Sequence, residues 1–228
     1  MISISGLCVS FDNNPVLKKI NVDFEQGLIH GIVGLNGAGK STFFNVLAKS
    51  IRPDSGKLLI GKNAITIRDT AYLETVNYFF KGITGTEYLK IFTQTNADFK
   101  LSVLQDYFKL PLNELVENYS TGMKKKLALL GILKQDRPVF LMDEPFNGLD
   151  LETNKIVEII ITTLQEKQKT IFVSSHIIEP LFAVCDKIHL LENGTFSKYF
   201  DKKDFDKIDN ELFAKLKYEA REVISGAL

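Results

Sequence analysis

The sequence predicts an α/β fold in which helices wrap a largely parallel β-sheet. Three observations support this prediction. Short apolar runs, which suit buried parallel strands, alternate along the chain with segments of helical periodicity. One of these runs leads into a glycine-rich loop and another ends in two acidic residues, as is typical of the edge where such sheets carry out chemistry. The stretch 76–118 has aromatic residues at helical spacing and no strong strand, which indicates a helical lobe inserted into the α/β body.

The composition is that of an ordinary globular protein. Of the 228 residues, 45% are hydrophobic and 25% are charged, which suits one large domain, or one domain with a small lobe. Lys and Arg number 28, as do Asp and Glu, so no global charge favours nucleic acid or an anionic membrane, although a local basic patch is compatible with this balance.

No targeting or membrane-spanning segment is predicted. The first residues lack a basic region that leads into an apolar core, and no stretch reaches the roughly 18 apolar residues that span a bilayer. We therefore expect a cytoplasmic protein that reaches a membrane only through a partner. The two cysteines, Cys8 and Cys185, lie in apolar runs, which favours buried free thiols over a disulfide. Neither has a Cys or His at ligand spacing nearby, so a metal site there is not expected.

The N-terminal part of the chain is predicted to form strands and then a helix. The predicted strands are residues 2–5, 7–11, 16–24, 28–33 and 57–60. A turn is expected at Asp12-Asn13-Asn14-Pro15, and Ile20, Val22 and Phe24 share one face of the third strand. The helix predicted over residues 41–49 ends at the run 52–56, which contains Pro and Gly.

The rest of the chain repeats the alternation after the helical stretch. The predicted helices are residues 120–133, 151–167, one that begins near 177, and an amphipathic helix over 209–224. The predicted strands are residues 139–142, 170–174 and 187–191. A hairpin is expected at Glu192-Asn193-Gly194, directly after the last of these strands.

A phosphate-binding loop is the most specific motif. The segment Gly34-Leu35-Asn36-Gly37-Ala38-Gly39-Lys40-Ser41 matches the pattern G-x-x-x-x-G-K-[ST] between an apolar strand and a helix. Glycines let the backbone N–H groups face phosphates, and the helix N-terminus adds positive potential. Lys40 is expected to neutralise the β- and γ-phosphates, and Ser41 to ligate Mg²⁺. The alternative is a glycine-rich turn with a surface lysine; the strand–loop–helix context favours ATP binding.

Carboxylates follow a second apolar strand. Residues 139–142 lead into Asp143 and Glu144, at the carboxyl end where an α/β sheet places its reactive groups. Asp143 is expected to join the Mg²⁺ shell, and Glu144 to polarise the attacking water. Alone, such a strand end is common; with a phosphate loop upstream it predicts hydrolysis.

The chain resembles the nucleotide-binding subunit of an ATP-binding-cassette (ABC) transporter over nearly its whole length. The matching segments are the Walker A loop at 34–42, the signature at Tyr119-Ser120-Thr121-Gly122-Met123, the Walker B strand at 139–144, the D-loop at 145–150 and the switch segment Val173-Ser174-Ser175-His176. The resemblance implies a P-loop NTPase core with a mostly parallel sheet, an N-terminal antiparallel β subdomain and an inserted helical lobe. It further implies one domain over 1–228, with the lobe at about 76–137 and a helical tail at 200–228.

Site residues are carried over from the family position by position. The implied nucleotide-binding residues are Phe11, Gly34, Leu35, Asn36, Gly37, Ala38, Gly39, Lys40, Ser41, Thr42, Ser120, Gly122 and Asp150. The implied catalytic residues are Glu144, His176 and Lys40, and the implied metal ligands are Ser41 and Asp143. Phe11 would stack on adenine, and Ser120 with Gly122 would complete the ATP site of a second subunit.

Structural alternatives exist for several of these residues. Phe11 could only fill a strand, Ser120 could only cap a helix, and a lone histidine such as His176 is more often structural. The run Lys124-Lys125-Lys126 favours a solvated helix face, the alternative being positive charge near the partner's nucleotide. His30 and His189 are given no role.

The sequence departs from the family at two motifs. Thr121 and Met123 replace the usual Gly and Gln of the signature, so we expect weaker ATP-driven closure. The family's Q-loop glutamine falls at Thr75, beside Glu74, so metal coordination from that loop is not expected. The lobe is also short for the family, which leaves less surface for a permease.

The function implied is an ATPase subunit, with ATP and Mg²⁺ as cofactors. The implied partners are a second ABC subunit, most simply an identical one, and an integral membrane permease. Through that permease the chain would lie peripherally on the inner face of the cell membrane. The segment 82–89 resembles exporter-type ATPases and favours export. Two alternatives remain at this point, an ABC ATPase that acts on ribosomes or nucleic acid and a regulatory cassette that does not hydrolyse ATP. No net positive charge or second cassette supports the first, so no nucleic acid is expected.

Overall fold

Two β-sheets and the helices around them form the body of the protein in the computed structural model, which describes residues 1–96, 99–208 and 224. The strands are β1 (Ile2–Phe11), β2 (Asn14–Phe24), β3 (Ile29–Val33), β4 (Ser55–Ile60), β5 (Asn63–Ala64), β6 (Thr70–Leu73), β7 (Val139–Asp143), β8 (Thr170–Ser174), β9 (Lys187–Glu192) and β10 (Thr195–Asp201). The helices are α1 (Lys40–Leu47), α2 (Gly85–Ile91), α3 (Leu101–Phe108), α4 (Thr121–Lys134), α5 (Leu151–Glu166) and α6 (Glu179–Val184). Short 3-10 helices cover Val116–Asn118 and Lys202–Lys207.

The larger sheet has six strands in the order β10-β9-β3-β8-β7-β6. The five strands from β9 to β6 run parallel, and β10 pairs antiparallel with β9. Every residue of β3, β7 and β8 is buried, as expected for strands covered on both faces. The phosphate loop follows β3 and the acidic pair ends β7, so the carboxyl edge of this sheet positions the candidate site.

The smaller sheet is antiparallel, with the order β2-β1-β4-β5. Strands β1 and β2 are joined at the predicted turn, where Asp12 and Asn13 have φ values of 48° and 64°. Asp and Asn tolerate this left-handed conformation, which a tight hairpin requires. The apolar face predicted for β2 points toward the core: Ile20 and Phe24 are buried, and Val22 is half-buried.

Three apolar clusters stabilise these layers. One lies between the smaller sheet, α1 and the near face of the larger sheet, and includes Phe24, Phe43 and Phe172. The second covers the opposite face of the larger sheet with residues from α4, α5 and α6. The third joins α2, α3 and α4 in the stretch between β6 and β7. The predicted fold class, a mostly parallel core with an antiparallel subdomain and an inserted helical lobe, is confirmed.

The structure adds one parallel strand that the sequence does not predict. Strand β6 has only four residues, Thr70–Leu73, and pairs in parallel with β7. Because so short a segment shows neither alternation nor a full apolar run, its extended conformation is decided by pairing with β7 rather than by local pattern.

At the C-terminal end, β10 continues to Asp201 and a 3-10 helix follows, so the predicted helical tail does not begin at residue 200. The amphipathic helix predicted over 209–224 lies outside the described residues except for Ile224. Within the described ranges, no helix has the length and apolarity to cross a membrane.

Both cysteines are free thiols. Cys185 is buried as predicted, and burial raises the pKa of its thiol. Cys8 is only half-buried, because its strand, β1, lies in the sheet with one face partly open to solvent. Its sulfur accepts a hydrogen bond from the Lys19 N–H at 3.3 Å.

Candidate active site

The loop between β3 and α1 depends on glycine at two positions. Gly39 is the N-cap of α1 with a φ of 106°, and a Cβ there would lie 2.8 Å from Leu17 Cδ2. At Gly34 a Cβ would lie 2.2 Å from the carbonyl oxygen of Leu191. A side chain at either position would therefore displace the loop, and the sequence pattern is explained by backbone shape as well as by phosphate chemistry.

Lys40 points its ammonium group back across this loop. Its Nζ lies 2.7 Å from the carbonyl oxygen of Gly34 and 3.5 Å from that of Leu35. Burial lowers the pKa of Lys40, and the negative charges of Glu144 and Asp143 oppose that shift. The chain thus holds a partly desolvated positive charge beside the first turn of a helix, where phosphate oxygens bind favourably.

The acidic pair at the end of β7 is held from the neighbouring strand. The hydroxyl of Ser174, the last residue of β8, donates a short hydrogen bond to Oδ1 of the buried Asp143. The same hydroxyl accepts a hydrogen bond from the Glu144 N–H at 3.0 Å. Glu144 has a φ of 49°, a left-handed conformation that is uncommon for such a residue and that clusters at functional sites.

Glu144 and His176 form a close pair. Nδ1 of His176 lies 2.7 Å from Oε2 of Glu144, with about 47% of the histidine side chain and 12% of the glutamate side chain exposed. His176 follows β8 and Glu144 follows β7, so two adjacent parallel strands bring these side chains together. A carboxylate and an imidazole at this distance can together orient a water molecule and accept a proton from it.

An open cleft of about 600 Å³ lies between the loop and this pair. It is lined by Phe11, Val16, Asn36, Gly37, Ala38, Gly39, Lys40, Ser41, Thr42, Thr75, Glu144, Asn147 and His176. The structure therefore brings the predicted aromatic, loop and catalytic positions to one place. Phe11 is about half exposed, with 48% of its surface accessible, so part of its ring is open to the cleft. Thr75, placed by sequence at the Q-loop position, also lines this cleft.

Several predicted residues do not line the cleft. Gly34 and Asp143 are buried behind it, and Leu35 is exposed beside a smaller hollow. Ser120 and Asp150 are exposed helix caps: Ser120 Oγ accepts from the Met123 N–H at 3.2 Å, and Asp150 Oδ1 accepts from the Thr153 N–H at 2.7 Å. Ser120, Gly122 and Asp150 therefore contribute nothing to the cleft of their own chain, and their role in nucleotide binding stays a prediction about a second subunit.

Sequence reasoning missed three residues at this site. Asn147 lines the cleft and Ser174 links the two acidic residues. The signal that could have indicated them is their place at the carboxyl ends of strands, Asn147 shortly after β7 and Ser174 as the last residue of β8. The third is Lys125, which was predicted to lie on a solvated face and is buried, with 5% of its surface exposed. That prediction is wrong because Lys125 faces β7: its Nζ lies 3.4 Å from the carbonyl oxygen of Glu144. Desolvation lowers the pKa of Lys125 to about 8, opposed by the charges of Asp143 and Glu144.

The oxygen donors at the loop fit a magnesium ion bound together with phosphate. Ser41 supplies a hydroxyl in the cleft, and Asp143 supplies a carboxylate behind it. In the part of the chain that the structure describes, no group of three or more His, Cys, Asp or Glu side chains could hold a metal alone. Mg²⁺ usually keeps several waters and is bound by one or two protein oxygens together with substrate phosphates, so Ser41 and Asp143 are suitable ligands.

Comparison with known proteins gives one consistent family. The family model described as ABC transporter matches residues 17–147, which is more than half of the chain. The ABC transporter ATP-binding protein YtrB of Bacillus subtilis is 27% identical and aligns over 88% of this chain and 72% of its own length. The lantibiotic transport ATP-binding protein SrtF of Streptococcus pyogenes is 26% identical over 93% of this chain and 96% of its own.

A solved structure supports the fold. The ATP-binding cassette MJ0796, seen as a dimer in a post-hydrolysis state with ADP and Pi, superposes with a TM-score of 0.78 at 20% identity, covering 89% of this chain and 99% of that one. Together with the phosphate loop, the acidic strand end and the Glu144–His176 pair, the family match shows that this chain belongs to the ABC transporter family, as an ATP-binding subunit with ATPase activity.

Proposed function

We propose that this ATPase powers export across a membrane as one of two cassettes bound to a separate permease. The coarser part, an ATPase of a transport system, follows from the family. The observation that carries the proposal is the Glu144–His176 pair, whose 2.7 Å contact faces the phosphate loop and Lys40 across one cleft. This arrangement supports a cassette that turns ATP over to drive transport.

The chain's own residues suit in-line attack of water on the γ-phosphate. The carboxylate of Glu144 would accept a hydrogen bond from the attacking water, and His176 would hold the carboxylate and contact the γ-phosphate. Lys40 would release the loop carbonyls and bind the β- and γ-phosphate oxygens. Mg²⁺, held through Ser41 and Asp143, would neutralise phosphate charge when bound. Phe11, at the rim of the cleft, offers an aromatic face for adenine.

The exposed caps support a two-fold dimer with shared sites. Ser120 and Gly122 begin α4 away from the chain's own cleft, and the N-terminus of α4 is suited to bind an anion. A cassette in which one chain offers the loop and the other the signature helix closes as a symmetric dimer. The dimeric state of the similar cassette MJ0796 supports this arrangement. Asp150, exposed at the start of α5, would lie at the same interface.

An exposed apolar segment supports the permease. Val76, Tyr78 and Phe80, directly after the cleft residue Thr75, are 82%, 70% and 55% exposed. Adjacent apolar side chains in water mark protein interaction sites, and this segment links the cleft to the helical lobe. The lantibiotic transport role in the name of SrtF and the exporter-like segment 82–89 support export. The chain would then lie peripherally on the cytoplasmic face of the membrane.

The test of the catalytic assignment is Glu144→Gln. We expect steady-state ATP hydrolysis to fall at least roughly 100-fold, because the amide no longer accepts the water's proton. The affinity for ATP should be retained, and the variant should accumulate as an ATP-bound dimer. Phosphate release and sedimentation in ATP measure the two effects. The matched control is Glu152→Gln, an exposed glutamate in the first turn of α5, which should hydrolyse ATP at the wild-type rate. Wild-type turnover in Glu144→Gln would refute the assignment.

A further inference from the structure

A lysine on helix α4 contacts the backbone of the predicted catalytic carboxylate. Lys125 belongs to the second turn of this helix, and it is buried, with 5% of its surface exposed. Its Nζ lies 3.4 Å from the carbonyl oxygen of Glu144. An ammonium group loses hydration when it is buried, and this cost is offset where its N–H donors find acceptors.

The contact falls on a residue whose backbone conformation is uncommon for its type. Glu144 is left-handed, with a φ of 49°. Its N–H is held by Ser174 Oγ at 3.0 Å, and its carbonyl oxygen accepts from the Asn147 N–H at 3.2 Å as well as from Lys125. With His176 on the carboxylate, Glu144 is held at its N–H, its carbonyl oxygen and its side chain. Of these four contacts, that of Lys125 comes from α4.

Helix α4 thereby connects the site proposed to contact the second subunit's nucleotide with the predicted catalytic residue of the chain's own cleft. Its N-cap, Ser120, is exposed and is proposed to meet the ATP bound by the second subunit. Lys125 lies five residues further on, about 7.5 Å along the same helix axis. Over so short a distance a helix moves as a unit, so a shift of its N-terminus changes the position of the Lys125 ammonium group against Glu144.

We propose that Lys125 is a positioning residue: it fixes the backbone of Glu144 and couples engagement of the α4 N-terminus to hydrolysis in the chain's own cleft. The inference rests on the proposed roles of Glu144 and Ser120. Misplacing a catalytic group by an ångström lowers the rate without removing the substrate-binding residues. Loss of Lys125 should therefore lower kcat and leave the KM for ATP nearly unchanged.

The test compares Lys125→Met and Lys125→Arg with a control variant on the same helix. Met keeps the length and apolar body of the side chain, so we expect kcat to fall roughly 10- to 100-fold, with KM and the denaturation midpoint near the wild-type values. Arg restores a cationic donor and should recover most of the rate. Lys134→Met removes the same charge from the C-terminal end of α4, where its Nζ lies 2.9 Å from the carbonyl oxygen of Leu89, and should keep the wild-type kcat.

Several outcomes would overturn the inference. These are a wild-type kcat in Lys125→Met, a loss that appears in KM alone, or an equal loss of kcat in Lys125→Arg and Lys125→Met. If Met at this position lowers the folded fraction, Lys125→Leu replaces it with the same expectation. Failure of the proposed function is distinguishable, because Glu144→Gln would then hydrolyse ATP normally; if Glu144→Gln is inactive and Lys125→Met is not, only the positioning role is wrong.

Discussion

Two buried histidines show how burial alters chemistry at a single residue. Nδ1 of His30 lies 3.1 Å from Nε2 of His189, and Nε2 of His30 lies 2.8 Å from the carbonyl oxygen of Glu25. Phe24 packs edge-on against both rings. The sequence gives these histidines no role, and the structure makes them a paired element of the core between the two sheets. Desolvation lowers the pKa of both, that of His189 to about 3.

This pairing predicts a loss of stability in mild acid. Because the folded-state pKa of His189 is depressed, the unfolded chain binds more protons below about pH 6.5. The contribution of His189 is therefore complete above that pH and falls as the pH decreases toward 3. When the pH is lowered from 7 to 5, the unfolding free energy of the wild type should fall by roughly 1–2 kcal/mol more than that of His189→Gln. Urea denaturation at both pH values measures the difference; identical losses would contradict the assignment.

Helix N-termini illustrate how an element can serve both folding and function. Helix α2 begins with a capping box, in which Thr84 Oγ1 accepts from the Glu87 N–H at 3.2 Å and the Glu87 carboxylate accepts from the Thr84 N–H at 2.8 Å. Helix α4 begins with the Ser120 cap. Both caps satisfy backbone donors that would otherwise lack partners, so the Ser120 motif has a structural reason besides the proposed contact with a second subunit.

The two roles of Ser120 are separable by comparing caps. Ser120→Ala and Thr84→Ala should each lower the unfolding free energy by about 1 kcal/mol, because each removes one side-chain cap. In the Glu144→Gln background, only Ser120→Ala should raise the ATP concentration needed to form the dimer. Urea denaturation and sedimentation in ATP measure these effects. If both variants formed dimers as readily as Glu144→Gln alone, Ser120 would be a cap and nothing more.

At the scale of the whole molecule, the proposed nucleotide-binding residues lie in two separate places on the surface. The loop, Glu144 and His176 line it, while Ser120 and Gly122 lie elsewhere on the surface. A Cβ at Gly122 would meet no atom within 4 Å, so the fold of the single chain does not require glycine there. The open space around Gly122 is suited to close approach of a phosphate group of the nucleotide bound by a second chain.

Shared sites predict that two inactive variants restore activity when mixed. Lys40→Met removes the loop charge, and Gly122→Asp places a carboxylate where the partner's phosphate would lie, in a helix turn that tolerates it. Each variant alone should be inactive. In an equal mixture, about half of the dimers contain one chain of each variant, and each such dimer has one intact site out of two. We therefore expect about a quarter of the wild-type rate of phosphate release. Activity in Gly122→Asp alone would show that the site is complete within one chain.

The sequence by itself determined the parallel core, and it predicted residues that the structure places along one cleft. Strands β3, β7 and β8 are short and mostly apolar, and the loop after β3 has its own geometric requirement for glycine at positions 34 and 39. Local pattern is sufficient for these elements because each is only five residues long, a length typical of a buried parallel strand and too short for a buried helix. The contact of Glu144 with His176 follows once their strands are neighbours.

Only the tertiary structure decided the remainder. Strand β6 is extended because β7 lies beside it, and Lys125 and the pair His30–His189 are buried because of what packs over them. A charged or polar side chain carries no local sign of its burial, since the cost of desolvation is offset by groups that are distant in sequence. For the same reason, the link from α4 to Glu144 emerges only when the helix is laid against β7.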